Sequence, residues 1–131
     1  IVDQPFESYK KLVNHFRPFQ SATQLIDVTA VIGNDSYIAP NVFIGEHVTI
    51  GNHSIIHPNV TIHGHCVIGY HVVIQAGSCI GSDAFYYNTK KNREHWYQKM
   101  PSCGRVVIGD HVEIGAGCTI DRGVTHDTSI G

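Results

Sequence analysis

Four histidines crowd into the fifteen residues HPNVTIHGHCVIGYH, which run from residue 57 to residue 71. They are His57, His63, His65 and His71. Imidazole changes its charge near neutral pH and ligates transition metals, so this density is typical of a proton relay or a metal site. Whether these side chains do chemistry depends on the elements that position them.

The composition argues against several other classes of function. The chain has 131 residues, which predicts a single domain, and its formal net charge of −2 gives no support to nucleic-acid binding. No run approaches the roughly 18 apolar residues of a membrane span, so we expect no transmembrane segment. The four cysteines form no CxxC pair, which indicates free thiols in a reducing compartment. Because the chain stops within its own repeat, at Gly131, we expect it to be a piece of a longer protein.

Isoleucine recurs every six residues through most of the chain. It occupies ten such positions from residue 26 to residue 80 and returns, after an interruption, at residues 108, 114 and 120. A period of six fits neither an α-helix nor a simple alternating strand. It fits a short strand followed by a two-residue corner, with three hexads in each coil. The repeat therefore predicts an all-β fold, a parallel β-helix shaped as a triangular prism, with thirteen isoleucines turned toward its axis and buried there.

The corners account for most of the histidines. Pro40-Asn41 and Pro58-Asn59 match the central pair of a type II turn, whose second residue needs a positive φ. Glycine, asparagine, aspartate and histidine tolerate that conformation best, and twelve of the thirteen hexads have one of them at this position. We therefore predict a backbone role for the five corner histidines, which are His47, His53, His65, His71 and His111. They should stack in columns such as His47/His65/Asp83 and Asp35/His53/His71.

Residues 3 to 16, DQPFESYKKLVNHF, read as one short N-terminal helix. Asp3 can cap it, Pro5 suits its first turn, and Arg17-Pro18 ends it. Its predicted apolar face consists of Phe6, Tyr9, Val13 and Phe16. We assign residues 1–22 to a helical lead-in that caps the first coil or packs on its side, with membrane binding as the alternative. Residues 23–131 form the β-helix domain.

A loop excursion at residues 86–104 interrupts the repeat and is rich in basic and aromatic residues. Its aromatics are suited to an acyl or sugar site, and its basic residues to phosphate or an acidic carrier protein. The alternative is a solvated loop whose aromatics cover a prism face. His57 and His63 differ from the corner histidines because they project from flat faces; packing or exposure is the alternative for them. The substrate-facing candidates are therefore Phe85, Tyr86, Tyr87, Trp96, Tyr97, His57 and His63.

The outward-facing rows predict a homotrimer. Tyr37, Ile55 and Val73 form one apolar row, and Val31, Thr49, Val67 and Phe85 form the next. A glycine column runs beside them through Gly33, Gly51 and Gly69, until Tyr87 interrupts it. An exposed apolar stripe beside glycines permits close approach by another chain.

The segments IGSDAFYY and KMPSCGRVVIGDHVEIGAGCTIDRG resemble the UDP-3-O-acylglucosamine N-acyltransferases, a family of hexapeptide-repeat acyltransferases. IVDQPFESYKKLVNHF resembles the segment that follows that family's N-terminal uridine-binding domain. Ala84 and Tyr86 stand where the family usually has glycines. The resemblance implies a left-handed β-helix and a cytoplasmic homotrimer of a Gram-negative-type bacterium. It also implies lipid A (lipopolysaccharide) synthesis, in which a 3-hydroxyacyl chain passes from acyl carrier protein, without a further cofactor, to the 2-amino group of a UDP-sugar.

The family's general base is a histidine that follows an isoleucine by two residues. No hexad here has a histidine at that position, so we expect the base beyond Gly131, no catalytic residue within 1–131, and no activity from this piece alone. The γ-class carbonic anhydrases share the fold and bind zinc through histidines five positions apart, a spacing absent here, so we predict no metal ligand. An acyl-coenzyme A-dependent sugar acyltransferase and a non-catalytic trimerising scaffold stay open as alternatives.

Overall fold

The structure, a computed structural model, describes residues 4–89, 94 and 97–131. It begins with one helix, α1 (Pro5–Phe16). Eight short strands follow: β1 (Val31–Ile32), β2 (Tyr37–Ile38), β3 (Phe43–Ile44), β4 (Thr49–Ile50), β5 (Ile55–Ile56), β6 (Thr61–Ile62), β7 (Val67–Ile68) and β8 (Val73–Ile74). The remaining strands are β9 (Cys79–Ser82), β10 (Tyr87–Thr89), β11 (Tyr97–Lys99), β12 (Val106–Ile108), β13 (Glu113–Ile114), β14 (Thr119–Asp121) and β15 (Thr128–Ile130).

Three parallel sheets form the walls of a prism. The first wall has the strand order β1-β4-β7-β12-β15, the second β2-β5-β8-β13, and the third β3-β6-β9-β14. Apart from β10 and β11, consecutive strands belong to consecutive walls, and each strand pairs with a strand one coil away. Ile44 pairs with Ile62, and Ile62 with Ile80. The predicted left-handed parallel β-helix, preceded by one short helix, is confirmed.

The isoleucines fill the axis of the prism except at its ends. Nine of them are buried: Ile44, Ile50, Ile56, Ile62, Ile68, Ile74, Ile80, Ile108 and Ile114. Ile26 is 39% exposed, and Ile32, Ile38 and Ile120 are half-buried, so the prediction of thirteen buried isoleucines was wrong. The reason is physical: a coil buries its isoleucines only against coils on both sides, and the terminal coils lack one neighbour.

The corners have the backbone conformation that their residue types predicted. The eight positive-φ corner residues other than glycine are Asp35, Asn41, His47, His53, Asn59, His65, His71 and His111, with φ from 53° to 67°. Gly77 and Gly117 turn in the same way, so ten of the thirteen predicted corners are confirmed. The exceptions are Thr29 in the first coil and Asp83 and Gly123 beside the excursion. All five corner histidines therefore occupy the left-handed region.

The excursion leaves the prism after β9 and returns at β12. Between them β10 and β11 form an antiparallel hairpin, in which Tyr87 pairs with Lys99 and Thr89 with Tyr97. Two predicted columns were wrong, because the chain rejoins the first wall with Val107, and not Phe85, beside Val67. For the same reason the glycine column continues from Gly69 to Gly109, and Tyr87 does not interrupt it.

Helix α1 packs on the side of the prism. Its N-cap position is Gln4, whose side chain makes no capping hydrogen bond, and the predicted cap Asp3 lies outside the described residues. Phe6 and Val13 are buried, but Phe16 is 76% exposed, so its place in the packed face was wrong. Phe16 lies at the last turn, where the helix ends and the chain diverges toward the first coil. The division at residue 22 stays a prediction.

Tyr9 attaches the helix to the last coils. Its hydroxyl lies 3.0 Å from the carbonyl oxygens of both Pro101 and Val124, and it donates a hydrogen bond to one or the other. Burial, followed by the contact with Cys103, raises the pKa of Tyr9, so the hydroxyl stays protonated and able to donate. The chain then runs back along the prism, and a parallel bridge between Ile26 and Ile44 joins it to the third wall. Among the described residues no helix is long and apolar enough to cross a membrane.

Candidate functional site

One corner of the prism differs from the others, because the hairpin leaves from it. A regular corner consists of two residues, and the second has the positive φ. The carbonyl of the first residue accepts a hydrogen bond from the N–H of the positive-φ residue one coil later, as Glu46 O accepts from His65 N at 2.8 Å. On the same edge of the prism, the first corner residue of the following coil is Gly64. The residue that should donate to its carbonyl from one coil later is Asp83, which lacks a positive φ. Gly64 O instead accepts from Nη2 of Arg122 at 3.1 Å. A side chain replaces a backbone donor at this point.

Arg122 makes several contacts at this corner. Its Nε donates to Gly81 O at 2.6 Å and lies 3.9 Å from Oδ1 of Asp83, while its backbone N–H donates to Ser82 O at 2.9 Å. The side chain is only 12% exposed, so the guanidinium, which cannot lose its charge, needs these partners. Sequence reasoning missed this role. The available signal was that Arg122 is the one arginine at the first corner position of a hexad, where small or turn-forming residues predominate.

A groove of about 750 Å³ lies between this corner and the lead-in segment. The prism contributes Phe43, Glu46, His63 and Asp83, the lead-in contributes residues 16–22, and Gln24 and Asp27 come from the segment just after the lead-in. This volume is within the range of small-molecule sites, roughly 300–1,000 Å³. The wall combines an aromatic ring with carboxylates and imidazoles, so it offers both apolar contact and hydrogen-bond acceptors.

His63 is the histidine that faces this groove from a flat wall. It is half-buried, and its ring meets the edge of Phe43 with the centroids 6.4 Å apart. Burial, followed by the positive charge of Arg122, lowers the pKa of His63 below 6.5. At neutral pH the ring is therefore uncharged, with one nitrogen that donates and one that accepts. Such a ring can bind a hydroxyl or an amine.

The structure separates His63 from His57, which the sequence treated alike. His57 follows β5 on the second wall, and its N–H donates to Ile74 O at 3.0 Å. It does not line the groove that contains His63. The two candidates therefore do not form one site.

His65, at the rim of the groove, has a partly similar environment. Its Nε2 lies 3.8 Å from Oε1 of Glu46. Burial, followed by the charge of Arg17, lowers the pKa of His65 despite this carboxylate.

The hairpin rises from the edge of the groove and presents exposed aromatic side chains. Phe85 is 88% exposed and Tyr97 69% exposed, and Tyr86 and Tyr87 are also exposed. Phe85 and Tyr87 meet edge to face with ring centroids 5.2 Å apart. Within this chain these four rings therefore do not cover a prism wall. Trp96 lies outside the described residues.

The densest histidine cluster is on another corner and has a different geometry. His53, His71 and His111 stack on successive coils with ring centroids 4.9 and 5.0 Å apart. Asp35 extends this predicted column, with Oδ2 3.9 Å from Nδ1 of His53. Parallel rings do not converge on one point, as a zinc ion requires. In the described part of the chain no group of three His, Cys, Asp or Glu residues is placed to hold a metal ion.

Comparison with known proteins adds a family and its relatives. The family model described as bacterial transferase hexapeptide (six repeats) matches residues 29–64 and 47–82. UDP-3-O-acylglucosamine N-acyltransferases of two Coxiella burnetii strains, Dugway 5J108-111 and RSA 331, are each 38% identical over an alignment of 155 positions, which covers 100% of this chain and 45% of the relative. The protein of that name from Colwellia psychrerythraea is 54% identical over 57 residues, covering 44% of this chain and 16% of the relative. The chain thus spans less than half the length of these relatives.

Proposed function

We propose, from the premise that this chain belongs to the hexapeptide-repeat transferases, that it is part of a lipid A N-acyltransferase. The enzyme transfers a 3-hydroxyacyl chain from acyl carrier protein to the 2-amino group of UDP-3-O-acylglucosamine. The observation that carries the proposal is the 38% identity, over the whole of this chain, to proteins named for that acceptor. The similarity covers the N-terminal helix, the prism and the excursion.

The chemistry requires a base at the acceptor nitrogen. The amine attacks the thioester carbon, a C–N bond forms, the C–S bond breaks, and the carrier's thiol leaves. The nitrogen must lose a proton in this step, and imidazole is suited to accept it near neutral pH. We place that base beyond Gly131, as the resemblance implies, and assign no catalytic residue within 1–131.

The groove and the hairpin then serve to bind substrate. An acyl chain needs apolar surface, and Phe85, Tyr87 and Tyr97 provide exposed aromatic rings. Sugar hydroxyls need hydrogen-bond partners, which the uncharged ring of His63 and the carboxylates of Glu46 and Asp83 provide within the groove. The hairpin begins and ends beside this groove, so one substrate can contact both.

The enzyme is proposed to act as a homotrimer in the cytoplasm, without a cofactor other than the acyl carrier protein that donates the chain. Hexapeptide-repeat acyltransferases are typically trimers. The predicted contact surface is available in this chain, since Val31, Tyr37 and Ile55 are exposed. Such rows would become buried in a trimer.

The test uses the protein expressed from its complete reading frame. UDP-3-O-acylglucosamine is incubated with the same 3-hydroxyacyl chain on acyl carrier protein or on coenzyme A, and the N-acylated product is measured by mass spectrometry. The expected result is product from the carrier-protein donor only. An acceptor whose 2-amino group is already acetylated is the matched control, and it should give none.

Transfer from coenzyme A alone would contradict the proposal in favour of a coenzyme A-dependent enzyme. If a folded trimer transfers the acyl chain from neither donor, the result favours the non-catalytic trimerising scaffold.

A further inference from the structure

The excursion is attached to the prism by a small set of contacts at its base. The backbone carbonyl of Ser82, the last residue of β9, accepts a hydrogen bond from the backbone N–H of Arg122. Asp83 lies between two cations, with Oδ2 3.2 Å from Nζ of Lys99 and Oδ1 3.9 Å from Nε of Arg122. Ala84 N donates to Oγ of Ser102 at 3.2 Å. These contacts join the two ends of the excursion to each other and to the next coil.

Arg122 is central to these contacts because it binds both the prism and the excursion. Its guanidinium holds the carbonyls of Gly64 and Gly81, which belong to two successive coils, and faces Asp83. Lys99 ends β11, the second hairpin strand, and faces the same carboxylate. The hairpin is thus linked through Asp83 to a guanidinium that the prism holds in a fixed orientation. A rigid fork of donors fixes direction in a way that a single ammonium does not.

We infer that Arg122 is a positioning residue, which sets the direction in which the aromatic hairpin leaves the prism. The functional consequence rests on the proposed function: by directing the hairpin, Arg122 places the exposed aromatics against the acyl donor. It does not touch the reacting atoms. Its loss should weaken donor binding and leave the chemical step largely intact.

Trp96, the only tryptophan of the chain, lies in sequence between the two hairpin strands and reports on the hairpin directly. The experiment uses the complete protein with every tryptophan other than Trp96 replaced by phenylalanine, and it measures the fluorescence anisotropy and acrylamide quenching of Trp96, together with KM for the acyl donor and kcat. For Arg122→Gln we expect lower anisotropy, stronger quenching and a KM raised by about tenfold, with kcat within about threefold. Arg122→Lys should fall between the wild type and Arg122→Gln.

The matched control is Arg105→Gln. The Arg105 guanidinium also spans adjacent coils, through Nη2 at 2.7 Å from Oδ2 of Asp127, but it faces neither Asp83 nor Lys99. This variant should leave Trp96 fluorescence unchanged. If Arg122→Gln does not fold, Lys99→Met removes only the ion pair on the hairpin side, and it should change Trp96 fluorescence in the same direction by a smaller amount.

If Arg122→Gln folds and its Trp96 fluorescence is unchanged, the inference is overturned. If Arg122→Gln does not fold, unchanged Trp96 fluorescence in Lys99→Met overturns it instead. A fall in kcat with KM unchanged would also overturn it. The proposed function fails separately, if the wild-type protein transfers no acyl chain, and the fluorescence result decides the positioning role in either case.

Discussion

The corner at Asn52 and His53 and the corner at Ser82 and Asp83 turn the same chain by different means. At the first, His53 has a φ of 56° and its N–H donates to Asn34 O at 3.0 Å. At the second, Asp83 lacks a positive φ. Arg122 provides the donors there, to the carbonyls of Gly81 and Gly64, which precede it by 41 and 58 residues. A repeated turn depends on local residue types, whereas a unique junction depends on long-range contacts.

The largest expected effect tests the regular region. Ile62 is completely buried, so Ile62→Ala should lower the free energy of unfolding by about 2–5 kcal/mol through lost contacts and a cavity. Ile26 has the same place in its hexad but is partly exposed, so Ile26→Ala should cost less than about 1 kcal/mol. Urea denaturation of both variants measures the difference, and equal losses would refute the distinction between the central and terminal coils.

A glycine pair sharpens the comparison between the two kinds of corner. Gly77 has a φ of 74° and open space where a Cβ would lie, so Gly77→Ala should cost about 1–2 kcal/mol from the backbone alone. Gly81 has a φ of 85°, and a Cβ there would overlap Sγ of Cys66. Gly81→Ala should therefore cost about 1–3 kcal/mol more than Gly77→Ala in the same denaturation experiment.

Cys66→Ala provides the control for that overlap. In a double-mutant cycle, Gly81→Ala should cost less in the Cys66→Ala background than in the wild type, because the clashing sulfur is gone. An unchanged cost would show that the overlap with Cys66 is not the cause.

The smallest expected effect concerns the groove and pH. Burial and Arg122 keep the pKa of His63 in the folded protein below the 6.5 of an ordinary histidine, so the unfolded chain binds the proton more readily. The resulting stability is complete above pH 6.5 and is lost progressively as pH falls through the folded pKa. Because the ring is half-exposed, the loss should be only a few tenths of a kcal/mol.

Urea denaturation at pH 7.0 and pH 5.5 measures this loss. His63→Gln should reduce the difference between the two pH values without abolishing it, since the pKa of His65 is lowered too. An identical pH dependence in wild type and variant would contradict the account of His63.

The parts of the fold that repeat could be predicted from the sequence. The six-residue period predicted the walls, and corner residue types predicted ten positive-φ positions, because both depend on neighbours within one hexad. The resemblance to the N-acyltransferases is confirmed. Counting by hexads failed across the excursion, where it placed Phe85 and Tyr87 on prism columns that Val107 and Gly109 occupy. The repeat resumes at Ile108, with confirmed corners at His111 and Gly117, but a count carried through the excursion ignores that Tyr87 pairs within the hairpin.

The candidate site was harder to predict because it forms by packing between distant segments. His57 and His63 occupy equivalent positions in their hexads, but only His63 lies beneath the returning lead-in. Arg122 was missed for the same reason: its partners Gly81 and Gly64 precede it by 41 and 58 residues in the sequence. The choice of these two histidines stays a prediction, as do the roles of the hairpin aromatics.

The most direct test asks whether backbone geometry accounts for the crowded histidines. His53, His71 and His111 form the stacked column, and all three have a positive φ. Replacing all three by asparagine should keep the free energy of unfolding within about 1 kcal/mol of the wild type, because asparagine tolerates this conformation. Replacing all three by valine should cost about 1–2 kcal/mol at each position. An asparagine variant as unstable as the valine variant would contradict the account, since the imidazole rings themselves would then be required.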